Sequence, residues 1–134
     1  MPRGFRISAR IDEDQNLIVF NISGDIDSKA LVDKWIETYA SLEEPWLYNR
    51  LLDYRRADGL VDVNELERFA VWWEGRTQGI DYSLKAAIIV NNPLDARRVH
   101  TVDSLFPRDI RKSFDSLDDA LTWLQENTAR LACG

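Results

Sequence analysis

Few residues in this chain could carry out catalysis. It contains one histidine, His100, and one cysteine, Cys133. Nucleophilic catalysis needs a nucleophile, a base and an orienting group, and a metal centre needs several ligands at characteristic spacing. His100 falls on the side of its predicted helix away from Val99, Val102 and Phe106, and Cys133 adjoins the C-terminal residue without a partner in the chain. The glycines form no phosphate-binding loop. We therefore predict no catalytic residue, no metal site and no cofactor, and that the protein is not an enzyme.

A second set of polar residues follows the predicted strands at their carboxyl ends. In open α/β sheets these ends converge at one edge, where ligands commonly bind. Such residues could hold a small polar ligand or a partner's loop, although strand ends are polar in any α/β protein that faces water. The set consists of Asp25, Arg55, Arg56, Asn91 and Asn92, together with Ser23, Gly24 and Asp115.

The stretch 51–70, LLDYRRADGLVDVNELERFA, contains the element that must position these residues. It begins as a buried strand, turns at Asp58 and Gly59, and continues as a helix from about Val63. Asp62 is predicted to cap this helix, with Glu65 completing a capping box. An apolar stripe at helical spacing faces the sheet. Its members are Leu66, Phe69, Ala70 and Trp73.

The chain before this stretch predicts a hairpin and a helix. Residues 5–11 alternate between apolar and polar, as in a half-buried edge strand, and residues 17–22 form a second, more apolar strand. Asp27 or Ser28 can cap a helix whose apolar residues recur at helical spacing, and Pro45 is predicted to stop it.

The chain after this stretch predicts two further strand and helix pairs. Residues 84–90 are a continuous apolar run, typical of a central strand. Asn92 caps a third helix, whose inner face carries Val99, Val102 and Phe106 before Pro107 ends it. A short strand at 110–114 and a final helix capped by Ser116 follow. The order ββαβαβαβα predicts an α/β fold with a mixed, mainly parallel sheet of about five strands and helices packed on it.

Composition limits the class of protein further. At 134 residues, with 45% hydrophobic and 30% charged residues, the chain fits one globular domain spanning residues 1–134. Its apolar runs are too short to span a bilayer and its N-terminus lacks an apolar signal core, so we expect a cytoplasmic location. A net charge of -6 argues against nucleic-acid binding.

Four sequence segments, in this order, resemble the STAS superfamily and within it the bacterial SpoIIAA-like group, which is also similar to the Sec14/CRAL-TRIO lipid-binding domains. The segments are NLIVFNISGDI, LLDYRRAD before a helix, KAAIIVNNPLDARRV and RKSFDSLDDALTWL. The resemblance extends over nearly the whole chain and implies a STAS-like, SpoIIAA-like fold.

In STAS anti-sigma factor antagonists, the resemblance implies a phosphorylatable serine at the start of the second helix. The matching positions here read Asp62-Val63-Asn64-Glu65-Leu66, and none carries a hydroxyl group. A kinase would find no acceptor oxygen there. Asp62 and Asn64 could still contact a protein partner.

For the SpoIIAA-like group, the resemblance implies binding of an apolar ligand or association with a membrane surface, with helices acting as a movable cover. The candidate pocket and cover residues are Leu66, Phe69, Trp72 and Trp73. Adjacent tryptophans point about 100° apart on a helix. Trp73 fits the inner stripe, which leaves Trp72 lateral or partly exposed. Trp72 then packs against Tyr82 or a neighbouring helix, or it lies at a pocket mouth, a dimer contact or a lipid interface.

Two functions follow as expectations. The first is a non-enzymatic STAS-like binding module that holds an apolar or amphipathic small ligand under the Phe69–Trp73 helix and contacts a membrane surface peripherally. The alternative is a protein-interaction module, resembling an anti-sigma factor antagonist without its phosphorylatable serine, that presents the loop and helix start at residues 58–65, including Asp62 and Asn64, to a partner. An enzyme using strand-end Asp and Arg residues is a third alternative. A homodimer could form through the exposed edge strand.

Overall fold

The computed structural model describes residues 4–126 and has the predicted order of strands and helices. Five strands form one sheet in the order β1-β2-β3-β4-β5; β1 is antiparallel to β2, and the other neighbours are parallel. The strands are β1 (Arg6–Asp12), β2 (Leu17–Asp25), β3 (Asn49–Asp58), β4 (Leu84–Ile89) and β5 (Asp109–Phe114). The helices are α1 (Ser28–Ala40), α2 (Val63–Arg76), α3 (Pro93–His100) and α4 (Leu117–Gln125). The mixed, mainly parallel α/β sheet is therefore confirmed.

The two faces of the sheet bury different cores. Ile18, Phe20 and Ile22 of β2 face the larger core, which includes buried residues of α1, α2 and α3. Val19, one residue out of phase, faces a smaller core that includes Ala120 and Leu124 of α4. This alternation follows from the two-residue period of a strand.

Helix boundaries differ from the sequence prediction at two places. α1 ends at Ala40, before Pro45, which instead starts a short 3-10 turn. α3 ends at His100, and a separate 3-10 turn, Asp103–Leu105, follows it. Val99, Val102 and Phe106 therefore do not share one helix, although all three pack on the larger core.

The register between β2 and β3 contains a β-bulge. Asn21 pairs with Asp53, and Ser23 pairs with Arg56, so β3 has one residue more than β2 over this interval. A bulge changes the direction of side chains locally and is common near functional sites. Beyond it, Gly59 adopts a positive φ of 101°, which glycine accommodates without strain and which turns the chain toward α2.

Candidate functional site

An apolar cleft lies between the start of α2 and the end of α3. Its volume is about 310 Å³. Ten of the fourteen lining residues are apolar or aromatic: Trp35, Leu52, Tyr54, Leu60, Val61, Val63, Leu66, Ile88, Val99 and Val102. The four polar ones are Asp62, Arg98, Thr101 and Arg111. Apolar walls with a few polar groups are typical of small-molecule sites.

The start of α2 forms one wall of this cleft and is held by α1. Ser28 Oγ accepts a hydrogen bond from the Asp62 backbone N–H at 2.8 Å. Asp62 occupies the capping position, but its side chain makes no capping hydrogen bond, so its predicted role as a side-chain cap is wrong. The Ser28 bond fixes the backbone at Asp62 but is not a substitute for a side-chain cap, which would accept from an N–H group in the first turn of α2. The carboxylate of Asp62 is exposed beside the cleft.

The opposite wall is held by Arg111 of β5. Its Nε donates to Asp103 at 2.8 Å, and its Nη2 donates to the Val99 carbonyl at 3.1 Å. The carbonyl group of Val99 lies near the C-terminus of α3, where a cation is favourable. The guanidinium group of Arg111 thus holds the residues after α3 in place through these two hydrogen bonds. The side chain of Arg98 is 61% exposed at the cleft mouth, and its Nη1 lies 3.9 Å from Asp95 Oδ1.

The cleft is displaced from the pocket that the sequence predicted. Of the four predicted pocket and cover residues, only Leu66 lines it. Phe69 and Trp73 are 2% and 3% exposed and belong to the larger core, where an aromatic cluster fills the space between α1 and α2. Phe69 lies 5.4 Å from Trp35 and 5.7 Å from Tyr39 between ring centroids. Packed rings therefore occupy the space around Phe69, and Trp73 in addition lines a separate groove of about 470 Å³ with Tyr82 and Phe106.

Trp72 is half-buried, as the helical geometry predicts. Its ring stacks on Phe69 with centroids 6.1 Å apart. Trp73, rather than Trp72, contacts Tyr82: its Nε1 donates to the Tyr82 hydroxyl at 2.7 Å. Trp72 is thus partly exposed and packs on Phe69 of its own helix.

A charged pair that the sequence did not reveal lies beneath α2. Arg50 Nη1 is 3.2 Å from Asp109 Oδ2, and the two side chains are 5% and 0% exposed. The guanidinium of Arg50 lies 4.3 Å from the ring centroid of Trp73 and 4.8 Å from that of Tyr39. Burial raises the pKa of the Asp109 carboxyl above its ordinary value, against the opposing effect of Arg50.

The strand-end residues separate into different roles. Asn92 caps α3, accepting from the Asp95 N–H at 2.8 Å, and Asn91 Nδ2 donates to the Arg55 carbonyl at 2.6 Å. Asp25 is exposed at the end of β2. Arg55 and Arg56 instead line an open groove of about 730 Å³ along β1, β2 and β3. The predicted set of strand-end polar residues therefore does not form a single site. Asn92 caps α3, Asn91 bonds to the backbone of β3, and Arg55 and Arg56 line the groove.

His100 lies on the surface, as predicted. Its Nδ1 is 2.8 Å from Asp103 Oδ2, and the histidine side chain is 39% exposed. Within residues 4–126, no group of three or more His, Cys, Asp or Glu residues could hold a metal ion. Cys133 lies outside the described residues. No helix in the described part of the chain is long and apolar enough to cross a membrane.

Comparisons with known proteins place the fold. No protein-family model and no curated protein matches the chain. Among solved structures, it is similar to the crystal structure of an uncharacterised DUF3478 family protein from Shewanella loihica PV-4, which has a SpoIIAA-like fold. The two structures share 20% sequence identity with a TM-score of 0.60, over 91% of this chain and 94% of the other. At this identity the likeness establishes fold alone. The resemblance to the SpoIIAA-like group is thus confirmed at the level of structure, and this protein has a SpoIIAA-like fold.

Proposed function

We propose that the protein is a cytoplasmic, non-enzymatic STAS-like binding module that holds an apolar or amphipathic small ligand in the cleft between α2 and α3. The observation that carries this proposal is the lining of that cleft, in which apolar and aromatic side chains dominate. Its volume of about 310 Å³ lies near the lower end of ligand pockets, roughly 300 to 1,000 Å³. A small or medium-sized ligand fits this space.

The polar residues of the cleft suit an amphipathic ligand. Leu52, Ile88 and Val99 are buried among the lining residues, whereas Arg98 and Asp62 are exposed. An alkyl or aryl group would therefore bury its surface against the walls, at roughly 25 cal/mol per Å². Its polar end would remain at the mouth, near Arg98 and water.

Binding without catalysis fits the buried Tyr54 and the hydrogen-bonded Arg111 of the cleft. Burial raises the pKa of the Tyr54 hydroxyl well above its ordinary value, so that it stays protonated near neutral pH. Arg111 is held by Asp103 and the Val99 carbonyl. General acid–base catalysis is most efficient when a positioned group has a pKa near the working pH, and the Tyr54 hydroxyl does not meet that condition.

A fluorescence titration with the amphipathic anion 1-anilinonaphthalene-8-sulfonate tests the proposal. Val102→Trp adds a bulky side chain at a residue that lines the cleft. Val71→Trp is the control, because Val71 is 73% exposed on α2 and does not line this cleft. We expect saturable dye binding in the wild type and in Val71→Trp, and at least about tenfold weaker binding in Val102→Trp, since a cleft-filling ring displaces apolar ligand surface.

The dye result must be accompanied by proof of folding. Near-UV circular dichroism and urea denaturation should show that both variants keep native packing, because the dye also binds partly folded states. Equal binding by all three folded proteins would contradict the proposed cleft. Phe69→Ala and Trp73→Ala are poor probes of ligand binding, because emptying these buried positions should itself cost about 3–5 kcal/mol of stability.

The alternative, a protein-interaction module, is favoured by the exposed start of α2. Asp62 and Asn64 are exposed, Asp62 makes no capping bond, and Val63 is 46% exposed. These side chains could dock on a partner. Under this alternative, Asp62→Ala with Asn64→Ala should abolish co-purification of one specific partner, and Val102→Trp should leave it intact. The ligand-binding function predicts instead that Val102→Trp weakens dye binding.

A further inference from the structure

The groove along β1, β2 and β3 carries a cluster of arginines on the sheet face opposite α1, α2 and α3. Ser8 pairs with Asn21, and Asn21 pairs with Asp53, so these three side chains share one face. Ile7 and Ile22, the adjacent pair, point to the opposite side, where Ile22 is buried in the larger core. Phe5, Ile7 and Ile22 also line the groove and pack on the larger core, whereas the polar side chains of the groove lie on the other side of the sheet from the apolar cleft.

The β-bulge brings two consecutive arginines to this groove. In a regular strand, one of Arg55 and Arg56 would point into the larger core. Instead, Tyr54 and Ala57 pack on that core, and Arg55 and Arg56 are both exposed and both line the groove. Asn91 Nδ2 donates to the Arg55 carbonyl at 2.6 Å, which braces the bulge from the end of β4.

Asp53 holds one of these arginines in a fixed orientation. Arg55 Nε donates to Asp53 Oδ1 at 3.0 Å, and its Nη2 donates to Oδ2 at 2.8 Å. Burial raises the pKa of Asp53, but hydrogen bonds from the Arg55 side chain and backbone outweigh this effect and keep that pKa below its ordinary value. Asp53 therefore stays ionised near neutral pH and orients the planar guanidinium of Arg55.

The groove also carries positive charge that Asp53 does not balance. Arg6 lines it beside Arg55 and Arg56, so three guanidinium groups face one carboxylate in a protein of net charge -6. Among residues 4–126, neither Arg6 nor Arg56 has a carboxylate within salt-bridge distance. The remaining polar side chains of the lining, which could add hydrogen bonds, are Ser8, Asn21 and Ser23.

We propose that this groove is a binding site for a phosphate monoester, with Arg6 and Arg56 as its principal ligands and Arg55 as a third, oriented donor. Guanidinium groups bind phosphate oxygens through paired hydrogen bonds, and a dianionic group matches the net charge of the groove. An extended polyanion fits less well, because the acidic protein as a whole would repel it. The phosphate can belong to a soluble metabolite or to a lipid headgroup.

Calorimetric titration with glycerol 3-phosphate tests this site for soluble ligands. Co-sedimentation with phosphatidylcholine vesicles that contain phosphatidic acid tests it for a lipid headgroup. Arg6→Gln and Arg56→Gln should each weaken binding about tenfold or more, as expected for charge-assisted hydrogen bonds. Arg10→Gln is the matched control: Arg10 lies on β1, faces the same side as Ser8, pairs with Asp12 and is outside the groove lining.

The outcomes separate the sources of the phosphate and can overturn the proposal. Binding of glycerol 3-phosphate supports a soluble ligand, and binding of phosphatidate vesicles alone supports a headgroup. The cleft variant Val102→Trp should leave either result unchanged, because the cleft lies on the other face of the sheet. If Arg10→Gln weakens phosphate binding as much as Arg6→Gln and Arg56→Gln do, the effect is one of general surface charge and the proposed site is wrong. The proposal is also overturned if the protein binds neither glycerol 3-phosphate nor phosphatidate vesicles.

Discussion

Arg50 and Asp109 place two charges inside the aromatic core beneath α2. Their side chains are almost completely buried, and Arg50 Nε and Nη2 and both oxygens of Asp109 lack hydrogen-bond partners in the described structure. The rings of Trp73 and Tyr39 beside the guanidinium provide cation–π contacts. Such a pair stabilises weakly relative to apolar residues, but removing only one partner is costly. It therefore constrains how β3, β5 and α2 pack together.

The pH dependence of stability should reveal the raised pKa of Asp109. Since the native state holds this proton more tightly than the unfolded chain, native stability should fall as pH rises from about 4 through the native pKa. Asp109→Asn lacks this titration. The free energy of unfolding of the wild type, minus that of Asp109→Asn, should therefore decrease over this pH range in urea denaturation.

This prediction is decided by how the difference in free energy of unfolding changes with pH, and not by the size of that difference at any one pH. Asp109→Asn leaves Arg50 without its carboxylate, which shifts stability at every pH in the window. An increase of the difference with rising pH would show that the native pKa of Asp109 is lowered, and would contradict the prediction.

At the scale of single residues, the sequence predicted which side chains are buried better than it predicted which side chains pair with each other. Helical spacing placed Leu66 and Trp73 inside and Trp72 at the edge of the core, as the structure has them. The ion pair between Arg50 and Asp109 was not predictable, because the two residues are distant in sequence and meet only through sheet pairing. The position of Arg50 directly before the buried Leu51 and Leu52 of β3 was the available signal.

At the scale of elements, the start of α2 depends on α1 more than on its own capping residue. The Asp62 backbone N–H is bonded to Ser28 Oγ, whereas Asn92 and Ser116 cap α3 and α4 with their side chains. A capping side chain stabilises its helix by about 1 kcal/mol, and an exposed charge near the helix N-terminus by less.

Alanine substitutions should show this difference. Asn92→Ala should lower the free energy of unfolding by about 1 kcal/mol, and Ser28→Ala should have a similar effect through the lost tertiary hydrogen bond. Asp62→Ala should cost about 0.5 kcal/mol or less, because only its charge near the helix terminus is lost. Urea denaturation measures all three. A loss for Asp62→Ala equal to that for Asn92→Ala would show that the carboxylate does cap α2.

The elements themselves were predictable where local signals act alone. Strand alternation, the apolar run of β4 and the Asn92-Pro93 start of α3 predicted elements that the structure contains. The early end of α3 and the cleft beside it were not predictable, because Val102 and Phe106 pack on the core from the two residues that flank the 3-10 turn Asp103–Leu105. Apolar spacing cannot distinguish that arrangement from a continuing helix. The β-bulge likewise follows from pairing between strands, so the pair Arg55-Arg56 gave no sign of its common orientation.

At the scale of the whole molecule, the sheet separates two chemically different surfaces. One face carries the apolar cleft between α2 and α3, and the opposite face carries the arginine groove along β1, β2 and β3. β1 is an edge strand, as predicted, with charged Arg6 and Arg10 along it. Homodimerisation through this edge and peripheral contact with a membrane remain predictions.

Native mass spectrometry of the purified protein, before and after addition of decanoate, tests the central claim most directly. If the cleft holds an amphipathic ligand, the wild type and Val71→Trp should carry a co-purified lipid-like mass or take up decanoate one to one, and folded Val102→Trp should do neither. The same occupancy in Val102→Trp, or a wild type that carries no ligand and takes up no decanoate, would contradict the claim.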